Sequence, residues 1–303
     1  MVGGGRRRLR LAGLVITLAL VAAACGSSGS KSSGATSAAG GLTDLGKKLP
    51  AEIQQSKEIK VGSDIEYAPV EFFKEGTQQV QGIDWDLAEA MAGKLGVKVT
   101  FVNFTDFANI ITALQAKRFD IIMSAMTDTK ERQQKNVDFI DYFNAGSSIL
   151  VKKGNPEGVK SLDDLCGKPL VLQLGTVQVD EAKAQQPKCK AAGKPEIKLI
   201  TFEKDADTLL ALKGGRAAAS MKDFPVAAYI AKTSGGGNEF EVAGEQFDTG
   251  PYGIAVRKSD TQLRDALQAA LKAVVADGTY DKIMETWGVS QGALKSASIN
   301  GGT

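Results

Sequence analysis

Between residues 59 and 132 the chain repeats one pattern three times: a short apolar run, a polar loop, then apolar positions three and four apart. Residues 59–62 alternate as a strand does, and the loop 63–69 closes on Pro69. Over 84–95, Leu87, Ala88, Met91, Ala92 and Leu95 share one face of a predicted helix that Gly96 stops. Residues 97–102 read as the next strand. A helix opening at 104–107 follows, with Ile110, Ile111 and Leu114 inward. The run 119–123 is a third buried strand, and Thr129 opens a third helix. This alternation predicts a parallel sheet wound by helices.

After a break at 152–156 a second series begins. Strands are predicted at 170–172, 197–202 and 217–221, and helices from Val179 onward, over 206–212 and from Phe224-Pro225 to Ala231. A strand at 251–256 and helices at 263–275 and 280–287 close the chain. The tail 291–303 is small and polar and is expected to fray.

The stretch 119–132, F-D-I-I-M-S-A-M-T-D-T-K-E-R, concentrates the candidate chemistry. Asp128 and Glu131 have capping-box spacing, which would turn loop amides into one concavity and put Arg132 near the positive end of a helix dipole. Arg132 there calls for an anion, either a ligand carboxylate shared with Thr127 or simply Glu131 or Asp128 at the surface. Tyr67, after the first strand, and Phe107 are candidate pocket walls or ordinary core aromatics. Gly175-Thr176-Val177-Gln178 begins a second helix at a strand end, without the glycine run and lysine of a phosphate loop. Lys222-Asp223 ends another strand, so Asp223 is presented as Arg132 is.

Composition removes whole classes of chemistry. With 303 residues, 43% hydrophobic and 24% charged, the chain can bury a large core in two lobes. It has no histidine, which excludes Ser-His-Asp and Cys-His catalysis and most zinc sites, and no metal or cofactor is expected. Arg6, Arg7, Arg8 and Arg10, the apolar run 11–21 and Ala22-Ala23-Ala24-Cys25 form a signal segment. Removing those four arginines lowers the formal charge from +2 to −2, so no nucleic-acid partner is indicated. V-A-A-A-C resembles a bacterial lipobox, which would make Cys25 a lipidated first residue; a plain secretory signal is the alternative. The Ser/Gly/Ala-rich stretch 27–41 suits a membrane tether. Cys166 and Cys189 remain, as one disulfide of an exported protein or as two buried thiols.

Seven stretches in order carry a family resemblance: Asp64-x-x-Tyr67-x-Pro69, Gly82-x-Asp84-x-Asp86-Leu87-Ala88, Phe119-Asp120-x-Ile122, Ser124-x-x-Thr127-x-Thr129-x-x-Arg132, Gly175-Thr176, Asp223-x-x-Val226-Ala227-Ala228 and Tyr252-Gly253-x-Ala255-Val256. Over residues 58–288 the chain resembles the family 3 bacterial extracellular solute-binding proteins, the amino-acid receptors of ABC importers. The resemblance implies an α/β, two-lobe periplasmic-binding-protein-like fold of type II, with two crossover strands near 146–152 and 246–252 and a ligand cleft between lobes. It divides the chain into signal peptide 1–24, disordered tether and N-terminal extension 25–57, lobe 1 at 58–148 and 249–290, lobe 2 at 149–248, and flexible tail 291–303.

It also implies roles. Arg132 would pair with an α-carboxylate, with Thr127 and the Ser124, Ala125 and Met126 loop assisting, and Asp223 would accept from the α-ammonium. Tyr67 and Phe107 would sandwich the ligand, and Thr176, Val177 and Gln178 would border it. Asp64 and Glu66 could read a cationic side chain, whereas Lys222 could read an acidic or amide one, so the expected ligand is a polar or charged L-amino acid. Val70, where an aromatic is usual, and Asp128, where an aliphatic is usual, depart from the family pattern. The expected partners are the permease subunits of an ABC importer and, through Cys25, the outer face of the cytoplasmic membrane; the protein itself is expected to be a monomer and not an enzyme. The alternatives are a dehydratase-type enzyme on the same scaffold and a ligand-gated sensor.

Overall fold

The computed structural model describes residues 41–302. The signal segment, Cys25 and tether residues 25–40 lie outside the described residues. Among those described, no helix is long and apolar enough to cross a membrane.

The first half contains α1 (Ala51–Ser56), β1 (Glu58–Ser63), a small antiparallel flap of β2 (Glu66–Tyr67), β3 (Glu71–Phe73) and β4 (Val80–Gln81), then α2 (Ile83–Leu95), β5 (Lys98–Asn103), α3 (Ile110–Gln115), β6 (Ile121–Ile122) and α4 (Lys130–Gln133). The long strand β7 (Val137–Lys152) leads to β8 (Pro169–Gln173), α5 (Val177–Ala191), β9 (Lys198–Phe202), α6 (Asp205–Lys213), β10 (Ala219–Asp223) and α7 (Phe224–Thr233). A second long strand, β11 (Phe240–Arg257), returns to α8 (Thr261–Ala276) and α9 (Thr279–Trp287).

Eight strands form one sheet in the order β5-β1-β6-β11-β7-β10-β8-β9. β1 pairs in parallel with β5 and β6, as β8 does with β9 and β10, which is what right-handed strand-helix-strand units produce. β7 and β11 run antiparallel through the middle and serve both halves. Their register breaks between Ala243 and Phe247, Phe247 and Gly250, and Tyr252 and Gly253, and these breaks divide the molecule. Beyond them on one side, Ile121–Ile122 pairs with β11; on the other, β10 pairs with Ser147 to Leu150 of β7. The result is two α/β lobes with two crossover strands.

Leu170, Leu172, Ala182, Ile149 and Val151 form the apolar core of the second lobe, and the disulfide Cys166–Cys189, with Cα atoms 5.5 Å apart, lies in that core, Cys189 fully buried.

Three expectations are corrected. Residues 41–57 do not extend the tether: Leu49 and Ile53 are buried, and the Thr43 hydroxyl donates to the Lys94 carbonyl at the end of α2. Apolar residues at 42, 45, 49 and 53 were masked by the Ser/Gly-rich composition just before them. The tail does not fray either. Ala293 pairs with Phe143 and Ile299 with Ile140 along the edge of β7 that β10 leaves unpaired, and Ala297 is buried. Finally, no Asp128–Glu131 capping box forms, because Thr129 is the N-cap of α4: its hydroxyl accepts the Arg132 N–H at 3.2 Å, while Glu131 pairs with Lys135.

Candidate functional site

A cavity opens between the lobes at the C-terminal ends of the parallel strands. Asp64, Tyr67, Phe107, Ser124, Ala125, Thr127, Arg132, Thr176, Val177, Gln178 and Asp223 line it, together with Glu71 and Gln173.

At one end Arg132, only 8% exposed, donates through Nη1 to the Thr127 carbonyl at 2.7 Å and through Nη2 to the Gly175 carbonyl at 2.9 Å. Its guanidinium lies 5.7 Å from the centre of the Phe107 ring. Burial lowers its pKa to about 10, opposed chiefly by the charge of Asp223, so it stays a cation at neutral pH. Gly175 reaches across from the second lobe with φ +81°, and a Cβ there would stand 2.5 Å from the Ala108 Cα. Only glycine permits that approach. The first turn of α5 follows directly, with Thr176, Val177 and Gln178 lining the cavity.

Asp223, at the end of β10, faces the same cavity. Its Oδ2 accepts the Tyr67 hydroxyl at 3.0 Å, its Oδ1 accepts Gln178 Nε2 at 3.0 Å, and its N–H donates back to the Tyr67 oxygen. Burial raises this carboxyl to about 6, against the hydrogen bond from Tyr67 and the charge of Arg132.

The remaining wall is acidic. Asp64 Oδ2 accepts Gln173 Nε2 at 2.7 Å, and Glu71 Oε1 accepts the Ser124 hydroxyl at 2.9 Å. The other Asp64 oxygen, Oδ1, is buried without a hydrogen-bond partner, whereas the Glu71 carboxyl is also hydrogen-bonded to the carboxyl of Asp84. Asp84, behind Glu71, accepts the Tyr142 hydroxyl at 2.7 Å and the Ala125 N–H at 3.1 Å. Burial raises Asp64 to about 7. Burial and the neighbouring Asp84 hold Glu71 well above the usual carboxylate range. Two buried carboxyls side by side retain a proton because neither can ionise cheaply beside the other.

Three predicted residues lie elsewhere. Lys222, 1% exposed, is ion-paired with Asp205 and donates to the Thr208 hydroxyl at 2.9 Å, so its charge is neutralised inside the second lobe. Met126 is core, packed in the cluster of Ile110, Phe119 and Phe139. Glu66 is half-buried and outside the cavity lining. The Ala125 amide, expected to face a ligand, is taken by Asp84. Glu71 and Gln173 are the residues that sequence reasoning missed. Gln173 had a visible signal, a lone polar residue ending the apolar strand 170–172.

Comparison with known proteins agrees with this architecture. The Arginine-binding protein ArgT of Corynebacterium glutamicum is 32% identical over 260 residues, covering 86% of this chain and 83% of the relative. The ABC transporter glutamine-binding protein GlnH of Bacillus subtilis is 31% identical over 272 residues, 88% of this chain and 92% of the relative. A crystal structure of an ancestral amino acid-binding protein, a precursor of cyclohexadienyl dehydratase, superposes with a TM-score of 0.69 at 41% identity, covering 78% of this chain and 97% of the other. With a family model matching residues 59–290, the chain belongs to the bacterial extracellular solute-binding proteins, family 3.

Proposed function

We propose that this protein captures an L-amino acid with a cationic side chain, L-arginine being the reference ligand, and delivers it to an ABC permease. The observation that carries the choice is the partnerless carboxylate oxygen Asp64 Oδ1, with the Glu71 carboxyl beside it, in a cavity whose other ends hold Arg132 and Asp223. A buried acceptor without a donor is costly, and a guanidinium supplies several donors in a plane that suits carboxylates. Arg132 would take the α-carboxylate, exchanging two backbone carbonyls for a bidentate ion pair, and Asp223 would take the α-ammonium. Because the two lie on different lobes, a ligand that satisfies both favours the closed cleft. The arginine-binding relative supports this reading; the glutamine-binding one names the nearest competitor.

Calorimetric titration with L-arginine, L-glutamine and L-glutamate tests the choice. Tightest binding of L-arginine is expected, and a preference for L-glutamate would sink it. Anchoring through Cys25 belongs to the same proposal. Cys25→Ala is expected to release the protein from the membrane fraction, and transport is expected to appear as loss of labelled amino-acid uptake in a deletion strain. The intact Arg132–Asp223 grip supports capture rather than turnover; a product of changed mass after incubation with ligand would reverse that.

A further inference from the structure

Asp128 is the residue of the ligand loop with the least obvious purpose. It is an acid beside Thr127, facing the problem that it should repel the carboxylate Arg132 would hold, yet it is 1% exposed and fully engaged elsewhere. Its Oδ1 accepts Gln133 Nε2 and its Oδ2 accepts the Gly302 N–H, each at 2.8 Å, while its own N–H donates to the Pro251 carbonyl. Gly302 is packed so tightly on the loop that a Cβ there would stand 1.9 Å from the Asp128 carbonyl oxygen.

Gly302 arrives at the end of an ordered strap. From Ala293 the chain runs antiparallel to the open edge of β7, exchanging backbone hydrogen bonds at Phe139 and Asp141. Its polar residues then meet buried carboxylates one by one. Ser298 Oγ and the Gly301 N–H donate to Asp141 Oδ2 at 2.6 and 3.0 Å, and Asn300 Nδ2 donates to Asp138 Oδ1 at 2.9 Å while its Oδ1 accepts the Phe139 N–H.

We propose that the 293–302 strap, acting through Asp128, positions the loop that grips the ligand carboxylate. Asp128 lies between Thr127, whose carbonyl holds Arg132 Nη1, and Thr129, whose hydroxyl caps the Arg132 N–H. Fixing Asp128 from behind fixes both supports of the guanidinium and turns the loop's own negative charge away from the cavity. Asp128 is a positioning residue, and it touches no ligand. The inference rests on the reading of Arg132 as the carboxylate clamp.

The test compares the full chain with a chain ending at Leu294, with Gly302→Ala, with Asp128→Ala, and with the chain ending at Leu294 that also carries Asp128→Ala. L-Arginine and L-arginine amide, which lacks the carboxylate charge, are titrated below the melting transition of every variant. Each single change is expected to weaken L-arginine about 10-fold and leave the weaker amide within about 2-fold, and the combined variant is expected to be no worse than either parent. Gly302→Ala carries the test if the shortened chain does not fold. Equal losses for both ligands, additive losses, or unchanged L-arginine affinity in all variants would overturn the strap's role. Arg132→Ala separates the two levels. If it abolishes the preference for L-arginine over the amide while the strap variants behave as the full chain, only the strap inference fails; if Arg132→Ala changes nothing, the clamp reading fails first.

Discussion

The two ends of the cavity handle buried charge in opposite ways. At the Arg132 end the cation is already satisfied, by the carbonyls of Thr127 and Gly175 and by the face of Phe107. At the acidic end Asp64 keeps one oxygen without a partner and Glu71 shares a proton with Asp84, and burial holds both Asp64 and Glu71 toward their protonated forms. A guanidinium cannot shed its proton near neutral pH, so the protein must supply stand-in acceptors; a carboxyl can remain protonated until a cation arrives. The cavity is therefore set up to exchange neutral partners for charged ones at one end and protons for a cation at the other.

The comparison breaks most severely at its satisfied end. Arg132→Ala is expected to cost L-arginine about 3–5 kcal/mol of binding, because the ligand carboxylate would be buried unpaired. Calorimetry within a few tenths of a kcal/mol of the native protein would contradict the clamp. Gly175→Val should follow in size. The substitution forces a strained φ of +81° and a clash with Ala108, so the lobes cannot close fully, and a loss of more than about 10-fold in affinity is expected, together with a lower melting temperature from the backbone strain. A smaller and more selective effect belongs to the acidic end. Glu71→Gln should weaken L-arginine by about 1–3 kcal/mol and leave L-glutamine nearly unchanged, since only the cationic ligand needs the charge.

The two ends also separate by pH. Asp64 and Asp223 are raised by burial to about 7 and 6, above the values near 4 of an unfolded chain. The folded, ligand-free protein therefore holds protons that the unfolded chain has released. That contribution to stability is complete below about pH 4 and is lost as pH rises through 6 to 7. Binding of a cationic amino acid runs the other way, because it requires the carboxylates. The melting temperature of the free protein is expected to fall between pH 5 and pH 8 while L-arginine affinity rises. Parallel trends in scanning calorimetry and titration would break the link between the acidic wall and the ligand. The smallest effect on binding is expected from removing the Cys166–Cys189 bridge. Closing a loop of sequence separation 23 stabilises the fold by about 3 kcal/mol, whereas the bridge lies in the core of the second lobe away from the cavity lining.

How much of this was legible in the sequence follows the same division. Alternating strands and helices placed Arg132, Asp223, Tyr67 and the start of α5 at strand ends, and the fold brings them to one cavity. Residues whose meaning depends on a partner far away in the chain were misread. Lys222 looks like a cavity charge until Asp205 is seen beside it, and Glu71 sits in a three-residue strand too short to show a period. The closing segment misled most. Serine, asparagine and glycine suggest fraying when the carboxylates they satisfy, Asp138, Asp141 and Asp128, lie more than 150 residues earlier.

One titration tests the central claim most directly: L-arginine against L-glutamine at pH 8, on the native protein and on Glu71→Gln. The expected result is an L-arginine preference of at least about 10-fold that shrinks several-fold in the variant. An L-glutamine preference in the native protein, or an L-arginine preference that the variant leaves unchanged, would contradict the assignment of the acidic wall to a cationic side chain.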